Sequence, residues 1–105
     1  MEKPSLNYIK ELSGGDAAFE AKLIAVVKSE LPDEIAEYNR NMRDSAFAKA
    51  AENVHKIKHK FGILSLEKSY ELAVEYETEL REGNTKHKKE FETIVQACIY
   101  FISNF

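Results

Sequence analysis

Few residues in this chain combine the type and spacing that chemistry needs, and most of those fall in one stretch. In ENVHKIKHKFGILSL, residues 52–66, His55 is followed by Lys58 three positions on, His59 four on and Gly62 seven on. A neutral imidazole is a good nucleophile, and an ordinary pKa of about 6.5 keeps much of it neutral near pH 7. A phosphoryl group on such a ring brings close to two negative charges. An ammonium one helical turn away can meet it with a charge-assisted hydrogen bond. Phosphoryl transfer asks mainly for positioning and charge stabilisation, so an open helix face with a partner docked on it can host the reaction.

Other chemistries find less support. His55 and His59 have the i, i+4 spacing of a metal pair. The intervening KIK places cations beside them, however, and no third ligand is evident: His87 is distant in sequence and Cys98 falls on an apolar line. No metal or cofactor is therefore expected. There is no Walker loop, no G-x-G-x-x-G and no G-x-S-x-G, and the chain has only 4 glycines. It should neither cradle ATP nor phosphorylate itself from it.

The elements that must position these residues read as helices. Gly and Pro fall where breaks belong, and no β-branched alternation signals a strand. A short helix is expected at about 5–13 (Leu6, Ile9 and Leu12 inward), ended by Gly14 and Gly15, with Asp16 capping the next. Helices follow at about 17–30 and 33–43, divided at Pro32, with Asp44 or Ser45 as the following cap. The fourth, about 46–64, carries Phe47, Ala50, Val54, Ile57, Phe61 and Leu64 in the 3, 4 rhythm of a bundle seam. The fifth, about 66–82, repeats it with Leu66, Tyr70, Ala73 and Leu80. Glu77 interrupts that seam and is expected partly buried with a partner or tilted to the rim. The last, about 86–104, has one line of Phe91, Ile94, Cys98, Phe101 and Phe105 and a second of Val95, Ile99 and Ile102, which the short first helix would cover.

At about 100° per residue, the seam of the fourth helix centres about 130° around from His55. His55 is thus expected outside the core, in a shallow clearing with Ala48, Ala51, Lys58, His59 and Gly62 around it. Lys49, Asn53, Lys56 and Lys60 form the solvated side. Gly62 in mid-helix costs up to about 1 kcal/mol relative to Ala, a cost accepted where something must approach the backbone.

These residues resemble the histidine phosphotransfer (HPt) domain of bacterial phosphorelays. That family's pattern is a histidine, a lysine three positions on and small residues through the next turns, often glycine at the fourth and tenth positions. Here VHKIKHKFGILSL supplies His55, Lys58 and Gly62, with His59 at the fourth position and Ser65 at the tenth. The breaks LSGGDAAF and REGN fall in step with the family's, so the likeness runs along nearly the whole chain. The resemblance implies that His55 is phosphorylated on its outer ring nitrogen and that Lys58 steadies the phosphoryl group. It also implies that Gly62 admits the aspartate of a receiver domain. The implied partners are response-regulator receiver domains carrying their own Mg²⁺, with a hybrid histidine kinase as a further candidate. No cofactor is implied in this chain, which is expected to be a monomer.

Bulk properties narrow the field further. With 105 residues and 44% hydrophobic content, the chain 1–105 suits a single domain with one core. The N-terminal MEKPSLNYIKEL lacks the apolar stretch of a signal peptide, and IVQACIYFI is too short to cross a membrane. A lone cysteine fits a reducing compartment, so the expected location is cytoplasmic. The net charge of −3 argues against nucleic acid as a partner, although residues 49–60 gather four lysines against Glu52 alone. The expected fold is all-α: an antiparallel four-helix bundle with an additional short N-terminal helix. The expected function is a phosphocarrier, accepting and donating a phosphoryl group on His55. The competing reading is a non-catalytic interaction module that docks an acidic partner through the basic face of residues 48–62.

Overall fold

The computed structural model describes residues 2–105, and among them every regular element is helical. The helices are α1 (Asn7–Ser13), α2 (Ala17–Arg43), α3 (Phe47–Ile63), α4 (Glu67–Arg81) and α5 (Lys88–Ile102). Short turns reverse the chain between them. α3 packs against α2 on one side and α4 on the other, and α5 lies against both α2 and α4. The molecule measures 43 × 23 × 18 Å. None of these helices is long and apolar enough to cross a membrane.

Asp16 caps α2 as its sequence position suggests, its Oδ1 accepting from the N–H of Ala18 at 3.0 Å and of Phe19 at 3.1 Å. Gly14 ends α1 in the left-handed conformation (φ 58°). The expected division at Pro32 is overturned: α2 runs unbroken for 27 residues with Pro32 inside it. Proline there cannot donate to the carbonyl four residues back, a cost of about 3 kcal/mol in an isolated helix. Val27, Leu31 and Tyr38, all buried on one side of α2, offset it, while Pro32 itself faces solvent. Tertiary burial thus outweighs local propensity. The cap expected at Asp44 or Ser45 is also replaced: Ala46 precedes α3 with no side-chain cap bond.

The core confirms the seam of α3, with Ala50, Val54, Ile57, Phe61 and Leu64 all buried. Its centre is aromatic. The ring of Phe91, from α5, stands 5.0 Å from Tyr76 of α4, 5.3 Å from Tyr38 of α2 and 5.6 Å from Phe61 of α3, so one side chain touches all three other long helices. The Tyr76 hydroxyl meets that of Tyr38 at 2.6 Å, and Tyr38 donates to Glu92 Oε2 at 2.9 Å. Burial pushes the Tyr76 hydroxyl up to about 12 and that of Tyr38 higher still, so both stay protonated donors.

α1 packs mainly on α2 and α3 instead of covering the second apolar line of α5. Its position is fixed at the α3–α4 turn. Ser65 there adopts φ 67°, and its Oγ accepts from Tyr8 N–H at 3.0 Å and donates to Ser5 O at 3.4 Å. Ser5 N–H donates to Leu64 O at 2.9 Å, and Glu2 accepts from Ser69 N–H at 2.7 Å. These bonds bring Tyr8 to the end of α3 that carries His59 and Gly62.

Candidate functional site

His55 lies on the face of α3 away from the core seam, with 51% of its side chain exposed. Its Nδ1 is 3.1 Å from Glu77 Oε1 across on α4. Lys58 Nζ is 3.3 Å from the same oxygen and 3.2 Å from Nδ1, and Arg81 donates to Glu77 Oε2 at 3.3 Å. Glu77 is therefore the hub. An ionised carboxylate only accepts, so the consistent arrangement has the ring N–H at Nδ1 and the Lys58 ammonium both donating to Oε1. The close approach of Nζ to Nδ1 is then two donors side by side on one acceptor. That tautomer leaves the lone pair on Nε2, which has no hydrogen-bond partner among the described residues.

Glu77 is mostly withdrawn from solvent, its side chain 15% exposed. Burial acts to raise its pKa. The donors from His55, Arg81 and Lys58 outweigh that and hold the carboxyl below its ordinary value, so it stays charged at neutral pH. Its mostly buried, partnered state matches the expectation drawn from its place in the α4 seam. That the partner would be His55 was not legible, because nothing in the sequence gives the rotation of α4 against α3.

The other expected site residues separate. Ala48 is exposed near the start of α3, but Ala51 is fully buried and offers nothing to a visitor; the expectation for Ala51 is corrected. It lies on the side of α3 closed by a neighbouring helix, where a small side chain permits close packing. His59 stays outside, its ring edge-on to that of His55 with centroids 5.0 Å apart. Partial burial, reinforced by His55, Lys58 and Lys60, lowers its pKa. Lys58 is 8% exposed, its ammonium 5.5 Å over the Tyr70 ring. Gly62 is half-buried, and a Cβ built there would meet Tyr70 Cδ2 at 3.6 Å and Cε2 at 3.9 Å. A small side chain at this position would thus make ordinary contact with the Tyr70 ring.

The solvated side also needs correction. Asn53 is buried and accepts from Asn41 Nδ2 at 2.6 Å. Lys60 is 6% exposed and bridges Glu30 at 2.9 Å and Glu34 at 3.0 Å. Burial disfavours its charge, but those two glutamates more than compensate, and its pKa is raised. The Lys60 correction follows from the unbroken α2, whose Glu30 and Glu34 lie on either side of Pro32, and Asn53 is met by Asn41 near the end of the same helix. Of the basic run, only Lys49 and Lys56 remain exposed.

One recess includes the imidazole and another lies farther along α3, at His59 and Gly62. The first is lined by Glu52, His55, Lys56, Glu77 and Arg81, the second by Tyr8, His59, Gly62, Ile63 and Tyr70. The chemistry available is that of an outward imidazole nitrogen, oriented by a carboxylate and flanked by a withdrawn ammonium. Comparisons with protein-family models, with curated proteins and with solved structures find no match to this chain.

Proposed function

We propose that this chain is a phosphocarrier of the phosphotransfer type: α2–α5 form an antiparallel four-helix bundle with α1 appended, and His55 passes a phosphoryl group between aspartates of receiver domains. The observation that carries this reading is the half-exposed His55 imidazole, with Nδ1 bound to Glu77 and Nε2 without a partner among the described residues. An attacking Nε2 needs its lone pair, and the Glu77 contact keeps the ring hydrogen on the other nitrogen.

In the forward step the Nε2 lone pair attacks the phosphorus of a receiver's aspartyl phosphate. The N–P bond forms as the P–O bond to aspartate breaks, and that electron pair leaves with the aspartate carboxylate. The hydrogen on Nδ1 stays between the ring and Glu77. Glu77 offsets the charge that the ring gains, and Lys58 offsets that of the phosphoryl oxygens. Donation to the next receiver is the reverse, so one site serves both directions. On this reading the receiver supplies its own Mg²⁺, and this chain contributes the nucleophile and the docking face.

The test is incubation with a receiver domain phosphorylated by a small-molecule donor. An acid-labile, base-stable label should appear on the wild-type protein and vanish in His55→Gln with the helical content unchanged. Label persisting in that variant overturns the assignment of His55. Binding of the receiver with no label in either protein favours the interaction module instead.

A further inference from the structure

Tyr70 has no role in the chemistry described so far, yet it touches two of the residues that the sequence pattern singles out. Its ring edge would stand in ordinary van der Waals contact with a side chain at position 62, 3.6 and 3.9 Å from a Cβ built on Gly62. The same ring lies under the Lys58 ammonium, 5.5 Å from Nζ to centroid. Lys58 would ordinarily extend into water, since a long flexible stem gains entropy there and an ammonium is strongly hydrated. Instead it is 8% exposed, folded over Tyr70 with its charge at Glu77 and His55.

We infer that Tyr70 is a positioning residue: its ring, lying beside Gly62, holds the Lys58 ammonium against the His55 imidazole. This rests on the phosphocarrier reading for its consequence, though not for its geometry. Three physical effects act together. The negative face of the ring attracts the cation. The ring covers the aliphatic stem and restricts its rotamers. By excluding water it lowers the local dielectric, so the charge acts more strongly across the width of the imidazole on a phosphoryl group at Nε2. Lys58 stands nearest the inner nitrogen, so a field acting through the ring suits its position better than direct grip on the outer oxygens.

The experiment is a double-mutant cycle read by the rate of His55 labelling with phosphoramidate, a small phosphoryl donor that needs no receiver. Tyr70→Phe keeps the ring and should label within about twofold of wild type. Tyr70→Leu keeps an apolar side chain without the ring and should slow labelling about tenfold. In a Lys58→Met background the same Tyr70→Leu change should alter the rate less than about twofold, because its effect runs through the lysine. Equal slowing in both backgrounds, or none in either, overturns the inference. A second measurement holds even if no label forms and the phosphocarrier reading fails. The Lys58 ε-methylene protons should be shifted upfield by the Tyr70 ring in NMR spectra of wild type and Tyr70→Phe, and return to the free-lysine position in Tyr70→Leu. An unshifted signal in the folded wild-type protein overturns the geometry itself.

Discussion

His55 and His87 each direct Nδ1 at a glutamate of α4, His55 at Glu77 over 3.1 Å and His87 at Glu79 over 2.7 Å. The two glutamates are two residues apart, so on a helix they point to different sides, one toward α3 and the other toward the start of α5. The surroundings then diverge. His87 sits just before α5 with 16% of its side chain exposed, and its Nε2 faces Glu75 at 3.9 Å. Carboxylates stand at both of its nitrogens, so the ring joins α4 to the start of α5. His55 is 51% exposed, with a carboxylate at one nitrogen only and an ammonium beside it. The comparison teaches that a histidine–glutamate pair is not itself a site. What matters is which nitrogen the fold leaves open and which charge stands next to it.

The largest test of that contrast is phosphoryl labelling of the two single variants. His55→Gln should lose the label altogether, while His87→Gln should retain it within about twofold. Loss of label in both, with both folded, would remove the distinction drawn here. A second test strikes the core that both pairs depend on. Phe91→Ala should lower unfolding free energy by about 3–5 kcal/mol in urea denaturation, because Phe91 is fully buried against aromatic rings from three helices. Hydrogen exchange should then rise at both α3–α4 and α4–α5 contacts.

Smaller effects sharpen the comparison. Removing Glu77 leaves a withdrawn Lys58 ammonium without its carboxylate, whereas removing Glu79 still leaves His87 beside Glu75. Glu77→Ala should therefore cost about 2 kcal/mol and Glu79→Ala about 1 kcal/mol in chemical denaturation. The carboxyl of Glu77 has a folded pKa below its unfolded one. Its charge thus contributes stability in full above about pH 4.3, and that contribution is lost as pH falls through the lower folded value. Glu77→Gln should flatten only that most acidic part of the stability profile. The smallest effect belongs to His59, whose folded pKa is also lowered. Its contribution is complete above about pH 6.5 and lost as pH falls through the folded value, because the unfolded chain binds the proton more readily. Thermal melts of His59→Gln should therefore lose less stability between pH 7 and pH 5 than wild type.

Much of this was legible in one dimension. The 3, 4 spacing from Ala50 to Leu64 named the inner face of α3, and the same rhythm put His55 outside it. Asp16 and Gly14 announced a helix start and a helix end through local hydrogen bonding and φ, which need no distant partner. Pro32 misled because its cost is local while the burial that offsets it is not. Lys60 and Asn53 read as solvated for the same reason: the α2 side chains that cover and bond them come from 12 to 30 residues away.

The sequence by itself determined that the chain is helical, which face of α3 is apolar, and that His55 would stand off the core with Lys58 one turn on; Leu12 and Phe105, expected inward, are exposed. The properties it determined follow from periodicities of a few residues and from backbone chemistry at each position. Only the tertiary structure decided that Glu77 would hold Nδ1, that Tyr70 would lie beside Gly62 and under Lys58, and that Lys58 would turn inward while Lys56 stayed in water. Each of these depends on how one helix is rotated and slid against another. That arrangement minimises exposed apolar surface over the whole core, and no short stretch of sequence encodes it.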